Sequence, residues 1–77
     1  MHQTQPAPQE TCTILVNGTA MELSVQTTIA ALLVQQDLAE RRLAVEVNGT
    51  VVPRSQHDTV QLKDGDRVEI IQAIGGG

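Results

Sequence analysis

Two Asn-Gly dipeptides, Asn17-Gly18 and Asn48-Gly49, constrain the fold of this chain more than any other feature. A two-residue hairpin turn holds both central residues at positive φ, and Asn followed by Gly meets that demand at little steric cost. The residues around the first dipeptide alternate with period two. Cys12, Ile14 and Val16 fall on one face and Thr11, Thr13 and Leu15 on the other; after the turn, Met21, Leu23 and Val25 alternate with Glu22, Ser24 and Gln26. That pattern predicts an antiparallel hairpin. Before the second dipeptide, Leu43 to Val47 has strand character, with Val45 and Val47 on one face. After it, Val51-Val52 begins a short extended piece. Pro53 has no N–H to give a ladder, so this piece belongs at a sheet edge or a strand end.

Between the two turn signals the period changes. Ile29, Leu32, Leu33 and Gln36 are spaced i, i+3, i+4, i+7, and three of the four are apolar. This predicts one helix with a single core-facing stripe, capped by Thr27 or Thr28 and running to about Gln36. Leu38 to Leu43 is a polar connection carrying Arg41-Arg42, and Arg54 to Thr59 reads as polar loop. Val60 and Leu62 form a short apolar pair before the turn composition Lys63-Asp64-Gly65-Asp66. The last strand runs from Arg67 to about Ala73. Its Val68 and Ile70 share one face; Glu69, Ile71 and Ala73 share the other. A lone helix buries its stripe only against a sheet. The expected architecture is therefore α+β: a mixed sheet of four to five strands with one main helix packed across it, the β-grasp arrangement of ubiquitin-like domains. A ferredoxin-like layout requires two helices, and only one is visible.

Seventy-seven residues make one small domain. Residues 1–10, with two prolines, three glutamines and no apolar periodicity, read as a disordered leader. Residues 11–73 form the domain and 74–77 a flexible glycine tail. So short a chain has little core from which to wall an enzyme cleft. There is no Phe, Tyr or Trp, and the net charge is −4. Stacking platforms and a basic groove are both missing, which argues against nucleic acid as a partner. The single cysteine, Cys12, has no internal disulfide partner, as suits a reducing compartment. Neither a signal peptide nor an apolar run of spanning length is present. The expected location is the cytoplasm.

No side-chain constellation of the usual catalytic kinds stands out. His2, Cys12 and His57 are too scattered for the short ligand spacings of a metal site, so none is assigned. Cys12 is in phase with Ile14 and Val16 and reads as a small buried hydrophobe. Arg41, Arg42, Arg54 and the pair His57-Asp58 read as loop residues.

The chemistry points instead to Ile74-Gly75-Gly76-Gly77, directly after the last strand. Read plainly, such a segment is a frayed terminus. Its composition suits a sharper role. A terminal carboxyl has a pKa of roughly 3.5 and is ionised at neutral pH. It becomes an electrophile only after a partner attaches a leaving group. Four extended residues reach about 13 Å, enough to deliver a terminal carbon into another protein's pocket. Glycine lacks a Cβ and so passes a narrow channel. Ordering the tail costs about 1–2 kcal/mol per residue, which docking of the domain must offset. Leu15, Ile71 and Ala73, expected opposite the helix, are the candidate docking residues.

Val47-Asn48-Gly49, Val52-Pro53-Arg54-Ser55, Leu62-Lys63-Asp64-Gly65-Asp66-Arg67-Val68-Glu69-Ile70 and Ala73-Ile74-Gly75-Gly76-Gly77 together resemble the ThiS family of sulfur carriers of thiamin thiazole biosynthesis. The resemblance covers residues 12–77. It implies that an E1-like, ThiF-type enzyme consumes ATP to adenylate the Gly77 carboxylate. A sulfur donor such as a cysteine desulfurase then replaces AMP, leaving a thiocarboxylate, and a ThiG-type thiazole synthase takes the sulfur. The carrier itself is not an enzyme and binds no cofactor. Two departures stand out: the family usually ends in two glycines rather than three, and many members carry an aromatic residue where this chain has His57. Other readings of the fold are a molybdopterin-synthase small-subunit-type carrier, a ubiquitin-like protein modifier and an inert β-grasp interaction module. The small subunit usually has Phe and Pro before its glycines, and neither is present here.

Overall fold

The computed structural model describes residues 10–72. Residues 1–9 and 73–77 lie outside it, and with them most of the expected leader, Ala73 and the whole tail Ile74, Gly75, Gly76 and Gly77. In chain order the elements are β1 (Thr11–Val16), β2 (Thr19–Ser24), α1 (Ile29–Gln35), β3 (Leu43–Val47), β4 (Thr50–Val52), a single 3-10 turn (Arg54–Gln56) and β5 (Arg67–Gln72). The five strands form one mixed sheet in the order β2-β1-β5-β3-β4. This is the β-grasp arrangement.

Both Asn-Gly turns are two-residue hairpins. Val16 pairs with Thr19 across the first and Val47 with Thr50 across the second. Asn17 and Asn48 sit at φ 50° and 53°, and Gly18 and Gly49 at 85° and 86°, so all four occupy the left-handed region that the tight turn demands. β4 is a sheet edge, as Pro53 requires. β5 is the middle strand, parallel to β1 and antiparallel to β3.

Thr28 is the N-cap of α1: its backbone is extended and its hydroxyl oxygen accepts the Ala31 N–H at 3.1 Å. The helix ends in a Schellman motif. Leu38 N–H donates to the Leu33 carbonyl at 2.7 Å and Asp37 N–H to the Val34 carbonyl at 3.0 Å. Asp37 takes the left-handed position, at φ 60°, that glycine more often fills. The stripe Ile29, Leu32 and Leu33 is buried against Cys12, Ile14, Val16, Leu23, Val45, Val68 and Ile70 from one face of the sheet. Gln36, the polar member of the pattern, is the exposed C-cap.

Two expectations need correction. Val25 does not extend the second strand: β2 stops at Ser24, the Thr27 N–H turns back to the Ser24 carbonyl at 3.0 Å, and Val25 is exposed. Residues 54–59 are not simply polar loop. They hold the 3-10 turn, and His57 behind it is buried. Its Nε2 donates to the Val52 carbonyl at 3.0 Å, and its own carbonyl accepts the Ala30 N–H at 2.8 Å. His57 thus ties β4 to the start of α1, the ring bonding the strand and the backbone carbonyl bonding the helix, in a chain that has no Phe, Tyr or Trp to fill the same space. Leu62, at the far end of this segment, is fully buried, held there as its N–H donates to the Thr27 carbonyl at 2.9 Å.

Candidate functional site

The last described strand leads toward the glycine tail, so the site is built outward from β5. Val68 and Ile70 point into the core, while Arg67, Glu69 and Ile71 lie on the open face. On the β3 side the pairing continues to the end of the strand, with Ile71 opposite Ala44 and Gln72 opposite Leu43. On the β1 side the backbone ladder stops sooner, because β1 turns away at Asn17.

Here the Asn17 side chain takes over. Its Oδ1 accepts the Ile70 N–H at 2.8 Å, and its Nδ2 donates to the Ile70 carbonyl at 3.3 Å. The carboxamide stands in for the peptide group that a longer β1 would supply. Asn48 does the same work at the other end and side of β5. Its Oδ1 accepts the Arg67 N–H at 2.9 Å, and its Nδ2 donates to Asp66 Oδ1 at 3.0 Å. Each Asn also donates its own backbone N–H to β5, to Val68 and Arg67 respectively. The sequence marks both residues as turn formers. It gives no sign that their side chains grip a strand elsewhere in the chain, for Asn17 one 53 residues away.

Leu15 and Ile71 both lie on the open face, 39% and 52% exposed. They are not neighbours. Leu15 is level with Arg67 and Ala20, and Ile71 lies four residues further along β5, about 13 Å away at the rise of a strand. Glu69, opposite Glu46 on β3, lies between them. Ile71 is the apolar position beside the tail; Leu15 belongs to the opposite end of the sheet. Ala73 and Ile74 to Gly77 lie outside the described residues.

A groove of about 380 Å³ opens beside Ile71, lined by Arg42, Leu43, Ala44 and Arg54 as well. The loop residues Arg42 and Arg54 therefore line the same groove beside Ile71, brought there by the start of β3 and the 3-10 turn. Neither guanidinium forms an ion pair among the described residues. Arg41 lines a separate cleft with Val34, Asp37, Ala39 and Glu40.

Cys12 is buried, 3% exposed, as its phase with Ile14 and Val16 predicts. Burial pushes its thiol above the ordinary value of 9.0, with Asp64 and then Asp66 adding to the rise. Both carboxylates are held by backbone N–H groups: Asp64 Oδ1 accepts that of Thr13 on β1 at 2.7 Å and Asp66 Oδ2 that of Lys63 within its own turn at 2.8 Å. A neutral, covered thiol is a poor nucleophile. Among the described residues no group of three His, Cys, Asp or Glu is placed to hold a metal ion. No helix among them is long and apolar enough to cross a membrane.

Comparison with known proteins bears on this geometry. The family model described as the ThiS family matches residues 14–77. The sulfur carrier protein ThiS of Escherichia coli (strain K12) is 36% identical over 64 residues, which are 83% of this chain and 97% of that protein. A thiazole synthase of Paramagnetospirillum magneticum is 39% identical over 64 residues, again 83% of this chain but 20% of the synthase. The chain thus spans a fifth of the thiazole synthases it matches and nearly all of the E. coli protein. The crystal structure of the thiamine biosynthesis protein ThiS from Geobacter metallireducens superposes with a TM-score of 0.72 at 32% identity, covering 84% of this chain and 99% of that one.

Proposed function

The chain belongs to the ThiS family, and from that premise we propose that it is a sulfur carrier whose working group is the carboxyl of Gly77. The observation that carries this reading is that the family match runs through the glycine tail to Gly77. In the proposed reaction the Gly77 carboxylate attacks the α-phosphorus of ATP in an E1-like adenylating enzyme, and pyrophosphate leaves. The acyl-adenylate so formed has a good leaving group. The terminal sulfur of a persulfide, carried by a donor such as a cysteine desulfurase, displaces AMP to give an acyl disulfide. A second thiol then cleaves its S–S bond, leaving the Gly77 thiocarboxylate and a disulfide on the thiol side. Thiazole synthase then accepts that sulfur for the thiazole ring of thiamin. The relatives support the last step. A segment like this chain occurs within proteins named thiazole synthase, an arrangement that suits a carrier and an acceptor enzyme that must meet.

The domain contributes position rather than catalytic side chains. Gly75 and Gly76 are the slender lead to the reacting carbon, after Ile74. β5, paired on both sides, is a rigid base for that lead. Ile71, and more distantly Leu15, supply apolar area on the open face for the partner, and Arg42 and Arg54 line the groove beside Ile71; Ala73, the third expected docking residue, lies outside the described residues. The molybdopterin-type carrier, the protein modifier and the inert module remain the competitors that the assay must separate.

Intact-mass spectrometry tests the proposal. The carrier is incubated with its adenylating enzyme, ATP and a sulfur donor. Replacement of one oxygen by sulfur at Gly77 is the expected result. Mass ladders on partner lysines would mark a modifier, and an unchanged mass an inert module. Transfer of the sulfur to a molybdopterin precursor rather than to thiazole synthase would overturn the thiamin assignment. Deleting Gly77 is expected to abolish the modification and leave folding intact.

A further inference from the structure

Among the side-chain hydrogen bonds of the described residues, those of two asparagines converge on one strand. Asn17 and Asn48 reach from the two hairpin turns to the same strand, β5, and end its ladders with side-chain amides. They differ in where they act. Asn48 holds Arg67, the first residue of β5. Asn17 holds Ile70, and beyond Ile70 no β1 residue is paired with β5. The last support of β5 on its β1 side therefore lies four residues before Ile74.

We propose that Asn17 is a positioning residue for sulfur transfer: its carboxamide, bonded to both the N–H and the carbonyl of Ile70, fixes the direction in which β5 delivers the tail to the adenylating enzyme. This rests on the carrier reading above. Without the two bonds, the backbone from Ile70 to Gln72 is paired on the β3 side alone. The end of the strand then samples several directions, and only a fraction of molecules present the tail in line. Apparent affinity falls by that fraction. Chemistry on tails that have entered the pocket is unaffected, so the effect belongs in KM and not in kcat.

Asn17→Gly and Asn48→Gly form a matched pair. Both retain a residue that accepts positive φ, and both remove two side-chain hydrogen bonds to or beside β5. A purely structural role predicts the same enzymology for the two variants. Positioning predicts a KM for the carrier raised about tenfold in Asn17→Gly, with kcat unchanged, and no change in Asn48→Gly at comparable thermal stability. Amide exchange at Ile70, followed by NMR on the full-length chain, reads the latch without any sulfur chemistry. The Ile70 N–H is protected in the wild type and loses protection in Asn17→Gly alone. Should Asn17→Gly fail to fold, Asn17→Asp keeps an acceptor for the Ile70 N–H but sets a carboxylate oxygen against the Ile70 carbonyl in place of the longer bond, and a raised KM is again expected.

Equal KM values for both glycine variants, an unraised KM in the folded Asn17 variant, or an unprotected Ile70 in the wild type would overturn the proposal. A wild-type chain that is never thiocarboxylated, yet shows a protected Ile70, overturns the carrier reading and with it the role of the latch. The two failures are thus distinguishable.

Discussion

Truncating Ile71 to alanine should weaken capture by the adenylating enzyme and leave the fold nearly as stable as before. Ile71 is 52% exposed on the open face, next to the tail root. Full burial of an isoleucine side chain is worth about 1.5–3 kcal/mol. Roughly half of that area is still in water, so a partner that covers it gains about 1–1.5 kcal/mol there. Losing that contribution raises Kd by about five- to tenfold. The cost to folding is smaller, because the covered half of the side chain lies at a sheet surface rather than in the core; about 0.5–1 kcal/mol is expected. A domain of this size has a few kcal/mol of stability in hand and stays folded. The assay is titration calorimetry of the carrier against its adenylating enzyme without ATP, with urea denaturation as the check on folding. Val34→Ala is the control: Val34 is 65% exposed but lies on α1, across the sheet from the open face. Its Kd should not move. Leu15→Ala, at the other end of the face, should cost less than Ile71→Ala and add to it independently. An unchanged Kd for Ile71→Ala, or an equal loss for Val34→Ala, would refute the assignment of the docking face.

His57→Ala should destabilise by about 2–4 kcal/mol in urea denaturation, since it opens a cavity and removes the donor to the Val52 carbonyl. His57→Phe keeps the ring volume and should cost only about 1 kcal/mol; equal losses for the two would show that packing is not what the ring supplies. The Cys12 thiol should resist iodoacetamide at neutral pH in the native protein and react once urea unfolds it, as peptide mapping would reveal. Because the folded thiol titrates above its ordinary value of 9.0, the unfolded chain loses its proton first as pH rises. The thiol's contribution is therefore full below pH 9.0 and declines above it until the folded thiol ionises as well. Denaturation midpoints that rise between pH 9 and 10.5 in the wild type, relative to Cys12→Ala, would contradict this sign.

Local patterns were legible where the cause was local. Asn17-Gly18 and Asn48-Gly49 identify their turns because positive φ is a demand on those residues alone. The stripe Ile29, Leu32 and Leu33 identifies a helix because its period is set by the helix itself. Thr28, one of two threonines in reach, needed only its own hydroxyl to cap. The burial of His57 was not legible, since its partners are a carbonyl on β4 and an amide on α1, and the pattern Arg54 to Thr59 is polar at every step. The end of β2 at Ser24 was missed for a related reason. Val25 keeps the alternation, but Thr27 must turn inward to cap Leu62, and the strand gives way. The separation of Leu15 from Ile71 depends on the register of β1 against β5, fixed by a parallel pairing across half the chain. Alternation shows which face a residue takes, never its level along that face. The reading of Gly77 as the working group rests on tail composition and on the ThiS resemblance, and the tail lies outside the described residues; that Arg42 and Arg54 line one groove depends on the fold and was not legible.

On the proposed carrier reading, the position of β5 accounts for a domain that contributes no catalytic side chain. A tail on an edge strand would be held from one side, and docking would have to order both the strand and the tail at about 1–2 kcal/mol per residue. Placing the tail after the middle strand removes the strand from that cost. β5 is paired with β3 through Gln72, with β1 through Val68, and clasped beyond that by Asn17 at Ile70. On the carrier reading, the residues that docking must position follow Gln72, and three of residues 73–77 are glycine. Glycine makes that segment costly per residue but narrow, so it stays as short as the partner's pocket permits. The third glycine lengthens it by one residue, about 3.3 Å of reach, and shifts which carbonyl sits at a given depth. On the carrier reading, a strand end clasped at Ile70 is the fixed point from which tail length counts.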